Sequence, residues 1–518
     1  MAEPAWKKVA EAKQNERASK IPKEWIIPPE LLPSEETRDV QDFPHTSGLF
    51  TPEELQITES TASTVVAKIA SGEWTAVQVL LATCKRASIA QQLINCLTEI
   101  YFEEALARAK QLDKFFSKEG KTVGPLHGLP LSFKDQFNLK GVDTSVGYIS
   151  WCNKPATEDS TLVELLMKAG AIPFVKTNIP ATLMMGESVN NVFGRTLNPR
   201  NRDLTTGGSS GGESALVSFR GSFMGIGTDI GGSIRHPCSF TGPMTRSVDD
   251  IKLFMKSLAG TEPWYYDPQA VPLPWREELE ILPEKLCFGF AMGDGRVTPT
   301  PPLSRAMEIT KAALLAAGHE VIDFIPTEHI EAMDIIRKMW SADGGEEFQR
   351  DTDSSGEPLH PQLEAWLGHS AKCKPMTVFE TWQNQQRRTA LQTQWLERWQ
   401  ATKEITGTGR PIDGLIMPST PFPAIRHDAA YPHHWGALSP LLDLTTGIFP
   451  VTKVDLEKDV VPADWKPISE LDEKVTKYYG NPKNHENALV GLTVVGRRLE
   501  EEKVTAMMDV ITKCLEAK

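Results

Sequence analysis

The segment from Thr206 to Pro237 limits the fold more than any other part of this chain. It packs glycine and serine into two knots, Gly207-Gly208-Ser209-Ser210-Gly211-Gly212 and Gly231-Gly232-Ser233. Glycine clusters permit positive φ and close approach of backbone to a neighbour or ligand. Successive backbone N–H groups in such turns are also what an anion or oxyanion site requires. A flexible linker would be evenly polar, whereas Leu216-Val217 and Met224-Gly225-Ile226 interrupt this one. The glycines therefore lie between packed elements: Gly211 to Phe219 reads as a helix opened by a glycine turn, and Phe223 to Ile226 as a short strand.

Several glycine motifs compete for the segment. A P-loop needs Gly-Lys-Ser/Thr, and Glu213 follows Gly212 instead. Gly225-Ile226-Gly227 opens like a dinucleotide fingerprint, but its third glycine falls one position late, at Gly231. Gly208-Ser209-Ser210-Gly211-Gly212 fits G-x-S-x-G, the nucleophile elbow, which needs an apolar strand directly before it. Asn198-Pro199-Arg200-Asn201-Arg202-Asp203 is polar, so the elbow is a runner-up. Metal sites have little support. His319-Glu320 lacks the second histidine of H-E-x-x-H, His433-His434 are adjacent, and His236 is the one histidine near the knots.

Along the chain, residues 1–58 are polar and proline-punctuated and read as an arm over the main body. Ser60 to Ala70 and Thr75 to Gln91 have helical apolar spacing, with Thr75 a candidate N-cap. Leu129 to Phe133 reads as a strand leading into Lys134-Asp135, and Ala171 to Val175 as another. Strand and helix alternate again at Leu286–Ala291, Ser304–Ala317 and Glu320–Phe324. Leu415–Met417, Val490–Val495 and a closing helix from Leu499 to Leu515 follow. The stretch 327–400, rich in Trp, Gln and Arg, reads as a helical insertion in a domain spanning 59–518. This alternation predicts an α/β fold with a mixed sheet covered by helices.

Of 518 residues, 55 are Lys or Arg and 68 Asp or Glu, a net charge of −13 with no long basic run. That balance argues against nucleic acid or an anionic membrane as the main partner. No stretch approaches the roughly 20 apolar residues of a membrane span. The seven cysteines (84, 96, 152, 238, 287, 373 and 514) are dispersed and odd in number, which reads as reduced thiols. A cytoplasmic protein is expected, with a homodimer left open.

The two knots are also a resemblance. Gly207 to Gly212, then Gly227-Thr228-Asp229-Ile230-Gly231-Gly232-Ser233-Ile234-Arg235, resembles nearly the whole signature of the amidase signature family. Gly128-Leu129-Pro130-Leu131-Ser132-Phe133-Lys134-Asp135 is similar to the family's lysine strand. Lys176-Thr177-Asn178 and Gly194-Arg195-Thr196-Leu197-Asn198-Pro199 match further landmarks. The arm and the Trp-rich insertion look most like the fungal acetamidase branch. The resemblance implies an α/β/α amidase fold and a Ser–Ser–Lys triad that works without metal or organic cofactor. Ser233 would attack the amide carbonyl and carry the acyl group. Ser209, after a cis peptide, would pass a proton between Ser233 and Lys134. Lys134 must be neutral to act as base. The N–H groups of Ile230, Gly231, Gly232 and Ser233 would form the oxyanion hole, and Leu183, near Met184 and Met185, an apolar wall for the substrate. Asp229 and Arg235 read as scaffold.

One departure stands out. The family pattern implies a further stretch of several tens of residues, including strand structure, after the signature. Here Ser239-Phe240 runs straight into Thr241-Gly242-Pro243-Met244-Thr245-Arg246-Ser247. Loss of a sheet strand would leave ladder groups unpaired, so this chain is expected to fold poorly or to be inactive. The expected activity is hydrolysis of a linear carboxamide to carboxylate and ammonia or amine. The alternatives are an inactive or truncated paralogue and a glutamine-hydrolysing amidotransferase subunit.

Overall fold

The computed structural model describes residues 4–229, 240–325, 327–362, 374–429 and 435–517. In chain order its strands are β1 (Leu97–Ile100), β2 (Pro130–Lys134), β3 (Ile172–Thr177), β4 (Val189–Asn190), β5 (Gly194–Arg195), β6 (Gly225–Asp229), β7 (Phe240–Met244), β8 (Cys287–Phe290), β9 (Glu320–Asp323), β10 (Gly414–Met417), β11 (Thr446–Lys453) and β12 (Leu489–Val495). Among the described residues the chain packs as two compact units, 1–228, 241–275 and 348–363 in one, and 229–240, 276–347 and 364–518 in the other.

The first unit is built on a sheet ordered β1-β3-β2-β6-β7. β2 runs parallel to β3 and to β6, while β1 is antiparallel to β3, so the sheet is mixed. Side chains alternate across β2. Leu131 and Phe133 join Val163, Leu166, Ile226 and Phe254 under the helices Ala62–Ala70, Thr161–Lys168 and Val248–Ala259. On the other face Ile94, Leu97, Phe174, Leu216 and Phe219 pack beneath Ala76–Ile94, Phe102–Glu119 and Gly211–Ser218. Both faces are covered, which explains why β2 and β3 are buried throughout. Thr75 caps its helix with a full capping box to Gln78, as its sequence predicts. That cap contributes about 1 kcal/mol, whereas truncating a core ring such as Phe133 costs about 3–5 kcal/mol. Core packing, not capping, decides this unit.

The sequence reads the arm as lying over the main body, and the structure buries part of its first helix there. Its helix Ala5–Ser19 turns Lys13, 4% exposed, into the body of the unit, 2.9 Å from Glu99 and 3.0 Å from Asp143. Arg17 Nη1 donates to the Leu97 carbonyl at 2.6 Å. The charges are buried because two buried carboxylates and a strand-end carbonyl face them. These partners lie some 80 to 130 residues further on, outside any local pattern.

The second unit has a sheet ordered β11-β12-β10-β8-β9. β8 is parallel to β9 and β10, and β12 is antiparallel to β10 and β11. The helices Pro301–Ala316 and Glu501–Glu516 pack against β12. Trp395 and Trp399 of Val378–Ala401 join Leu415, Met417 and Val495 in the core. Both sheets are mixed and flanked by helices, the α/β architecture expected from the sequence.

Candidate active site

Lys134 is the last residue of β2 and is fully buried. The next residue, Asp135, ties the strand end down, accepting from Thr98 Oγ1 at 2.7 Å and from the Val146 N–H at 2.8 Å. Lys176 Nζ lies 3.7 Å from the same carboxylate. Burial pulls the Lys176 ammonium below its ordinary value, although Asp135, Glu99 and Asp143 oppose that.

Ser209 stands just ahead of the helix Gly211–Ser218, after a cis peptide from Gly208. The glycines here are needed for closeness. A Cβ on Gly208 would lie 2.4 Å from the Met185 carbonyl oxygen, and one on Gly212 would lie 2.3 Å from the Asn178 nitrogen. The backbone of 185–187 and of Asn178 therefore presses the turn toward the strand ends. There Lys134 Nζ lies 2.6 Å from Ser209 Oγ. The same nitrogen donates to the Thr228 carbonyl at 3.1 Å and to Thr228 Oγ1 at 2.7 Å. Thr228 Oγ1 in turn donates to Gln136 Oε1, and Ser210 Oγ donates to the Thr228 carbonyl at 2.9 Å.

The structure thus brings together Lys134 and Ser209, as the sequence reading paired them, and adds Thr228, which that reading missed. Its signal was its position directly before Asp229 in the second knot's strand. Leu183 ends the turn Ala181–Leu183 at φ 62°, half-buried, two residues before the Met185 carbonyl that abuts Gly208. Ile230, Gly231, Gly232, Ser233, Arg235 and His236 lie outside the described residues, as do His433 and His434. The elbow alternative fails: between Asn198 and Thr206 the chain forms only isolated bridge contacts, among them Asn198 to Asn201, and no strand leads into Ser209. Gly225 and Gly227 belong to β6, where added Cβ atoms would meet Glu213 Oε2 at 2.1 Å and Ser210 Oγ at 3.0 Å. They make room for side chains, not for a dinucleotide.

The sequence model of the Amidase family matches residues 78–242 and 241–505, most of the chain. The chain belongs to the Amidase family. As such it is a hydrolase acting on amide C–N bonds. This amidase is 60% identical over 547 aligned positions to "Putative amidase kk1C" of Curvularia clavata, spanning 100% of this chain and 99% of that one. It is 42% identical to the acetamidase of Emericella nidulans, spanning 99% and 98%. Among solved structures, fatty acid amide hydrolase superposes on it with a TM-score of 0.90 at 31% identity, covering 98% of this amidase and 95% of that chain. These spans give no sign of truncation, which corrects the expectation of a shortened product. The family match divides at residues 241–242, where the sequence analysis placed its gap. β7 occupies the sheet position beside β6 there, so the β6 ladder is paired rather than left open. Among the described residues no helix of the amidase is long and apolar enough to cross a membrane.

Proposed function

We propose that this amidase hydrolyses linear carboxamides to the carboxylate and ammonia or amine through a Ser233–Ser209–Lys134 relay and an acyl-enzyme. The observation that carries the reading is the environment of Lys134 Nζ. A neutral amine has two N–H groups and one lone pair. The Thr228 carbonyl cannot donate, and the Thr228 hydroxyl proton is committed to Gln136. In the neutral amine that the reading requires, the two N–H groups go to Thr228 and the lone pair faces Ser209 Oγ at 2.6 Å. In that arrangement Lys134 takes the Ser209 proton while Ser209 takes the Ser233 proton, and Ser233 Oγ bonds to the substrate carbonyl carbon. The tetrahedral oxyanion is assigned to the N–H groups of Ile230, Gly231, Gly232 and Ser233, each such donor contributing roughly 3–4 kcal/mol. Return of the proton through Ser209 to the nitrogen breaks the C–N bond. Water then cleaves the ester by the same relay. Leu183, Met184 and Met185 are assigned to the apolar side of the substrate, and the likeness to fungal acetamidases favours short aliphatic amides.

The test is ammonia release from acetamide and longer amides, with a fluorophosphonate probe on the same protein. Ser233→Ala abolishes both labelling and turnover, and Ser209→Ala and Lys134→Ala lower turnover by orders of magnitude without unfolding. Labelling that survives Ser233→Ala would move the nucleophile elsewhere.

A further inference from the structure

Glu213, the residue that breaks the P-loop pattern, sits in the first turn of the helix after Ser209 and is fully buried. Its Oε1 accepts from Thr177 Oγ1 of β3 at 2.9 Å. Its Oε2 lies 2.5 Å from Ser132 Oγ of β2. Ser132 Oγ lies 3.0 Å from Ser222 Oγ, and Ser222 Oγ lies 3.0 Å from the Met224 carbonyl oxygen. Oε2, two hydroxyls and a carbonyl thus form a series of oxygen–oxygen links. Each link needs one proton, the carbonyl supplies none, and each hydroxyl supplies one. The hydroxyls fill two of the three links. A carboxylate would leave the remaining link as two buried oxygens facing each other with no proton between them.

We propose that Glu213 is held as a neutral carboxylic acid whose proton completes this chain, and that it is a positioning residue for Lys134. Ser132 and Lys134 are alternate residues of β2 and share a face. Thr177 is the residue paired with Lys134 in the β2–β3 register. One carboxyl therefore grips both the residue two before the lysine and the lysine's cross-strand partner, from the helix that follows Ser209. The backbone of β6 closes over it at Gly225. The charged or titratable groups facing it are Lys134 and the Cys96 thiol, and burial keeps that thiol protonated. Burial likewise pushes the Glu213 carboxyl up to about 8.

This role in turnover rests on the proposed relay, but the protonation itself is readable without activity. A carboxyl moved from 4.5 to about 8 on folding lends its full stability below pH 4.5, loses it progressively as the pH rises, and contributes none above about 8. Glu213→Gln reproduces the neutral acid, its amide N–H donating to Ser132 and its carbonyl accepting from Thr177, and it does not titrate. The experiment compares wild type, Glu213→Gln, Glu213→Ala and Ser132→Ala by infrared spectroscopy, by thermal unfolding across this pH range, and by kcat and KM. Wild type is expected to show a protonated-carboxyl band, absent from Glu213→Gln, that fades near pH 8. Its unfolding midpoint falls with pH relative to that variant. Glu213→Gln keeps kcat within a few-fold, and Glu213→Ala loses about 10²-fold with a smaller change in KM. Ser132→Ala moves the pH at which the band fades, which keeps the assignment testable should Glu213→Gln not fold. No such band below its fading pH, a band that Ser132→Ala leaves unmoved, or a Glu213→Gln variant as slow as Glu213→Ala would overturn the proposal. Loss of the proposed relay would silence only the kinetic readout.

Discussion

Lys134 and Thr228 meet twice, through the threonine carbonyl at 3.1 Å and its hydroxyl at 2.7 Å. A single residue of β6 thereby orients the amine at the end of β2. The lysine's third direction faces Ser209 Oγ in the turn ahead of the helix, while the pairing of Ser132 with Gly225 and Phe133 with Ile226 holds β2 beside β6.

Thr228→Val keeps the side-chain shape and removes one of these acceptors. A buried donor left unpaired costs about 1–3 kcal/mol, which corresponds to about a 5- to 150-fold fall in kcat. KM should change little, and Thr228→Ser should restore most of the rate. Steady-state ammonia release measures this, and a valine variant within twofold of wild type would count against the role of Thr228.

Gly212→Ala places a Cβ 2.3 Å from the Asn178 nitrogen and 2.5 Å from its oxygen, both backbone atoms that cannot swing aside. The helix start must shift, carrying Ser209 with it, and a displacement of about 1 Å can lower the rate about 10²-fold. Gly242→Ala is the control, because nothing lies within 4 Å of its Cβ. Equal activity of the two variants would show that the close approach at Gly212 has no bearing on the site.

Lys13→Met removes the cation between two buried carboxylates, Glu99 and Asp143, that hold this lysine above its ordinary value against the effect of burial. Stranding buried charge in this way costs about 3–5 kcal/mol. Thermal or urea unfolding should show the loss, and adding Glu99→Gln to the variant should recover part of it. An unchanged unfolding midpoint would mean that the arm contributes nothing to stability.

Much of this was legible in the sequence, for identifiable reasons. β2, β3, β8 and β10 each carry a short apolar run, and Thr75 stands as an N-cap candidate ahead of its helix. The serines and the lysine are singled out by the resemblance of the two glycine knots and the stretch Gly128–Asp135 to the amidase signature family's pattern. β1 was missed because four residues between two helices carry no period of their own. β11 was missed because its exposed, proline-containing face gives no apolar alternation. β6 begins two residues later than its apolar run suggests, because Gly225 and Gly227 leave space for Glu213 and Ser210. Glu213 has no local signal, and Thr228 has only its place before Asp229 in the second knot's strand. Their roles arise from a strand order, β3-β2-β6, that joins residues about 40 to 90 positions apart.

The buried arm also imposes an order of events on the ribosome. Lys13, Gln14 and Arg17 are made early, but their partners Leu97, Glu99, Asp143 and Val192 follow much later in the chain. At synthesis rates of about 5–20 residues per second, the arm helix waits roughly 10–40 s before Val192 exists to receive it. During that interval its charged face must stay in water, and a mostly polar helix suits that wait. Docking of the arm helix therefore waits on chain that follows it by up to about 180 residues.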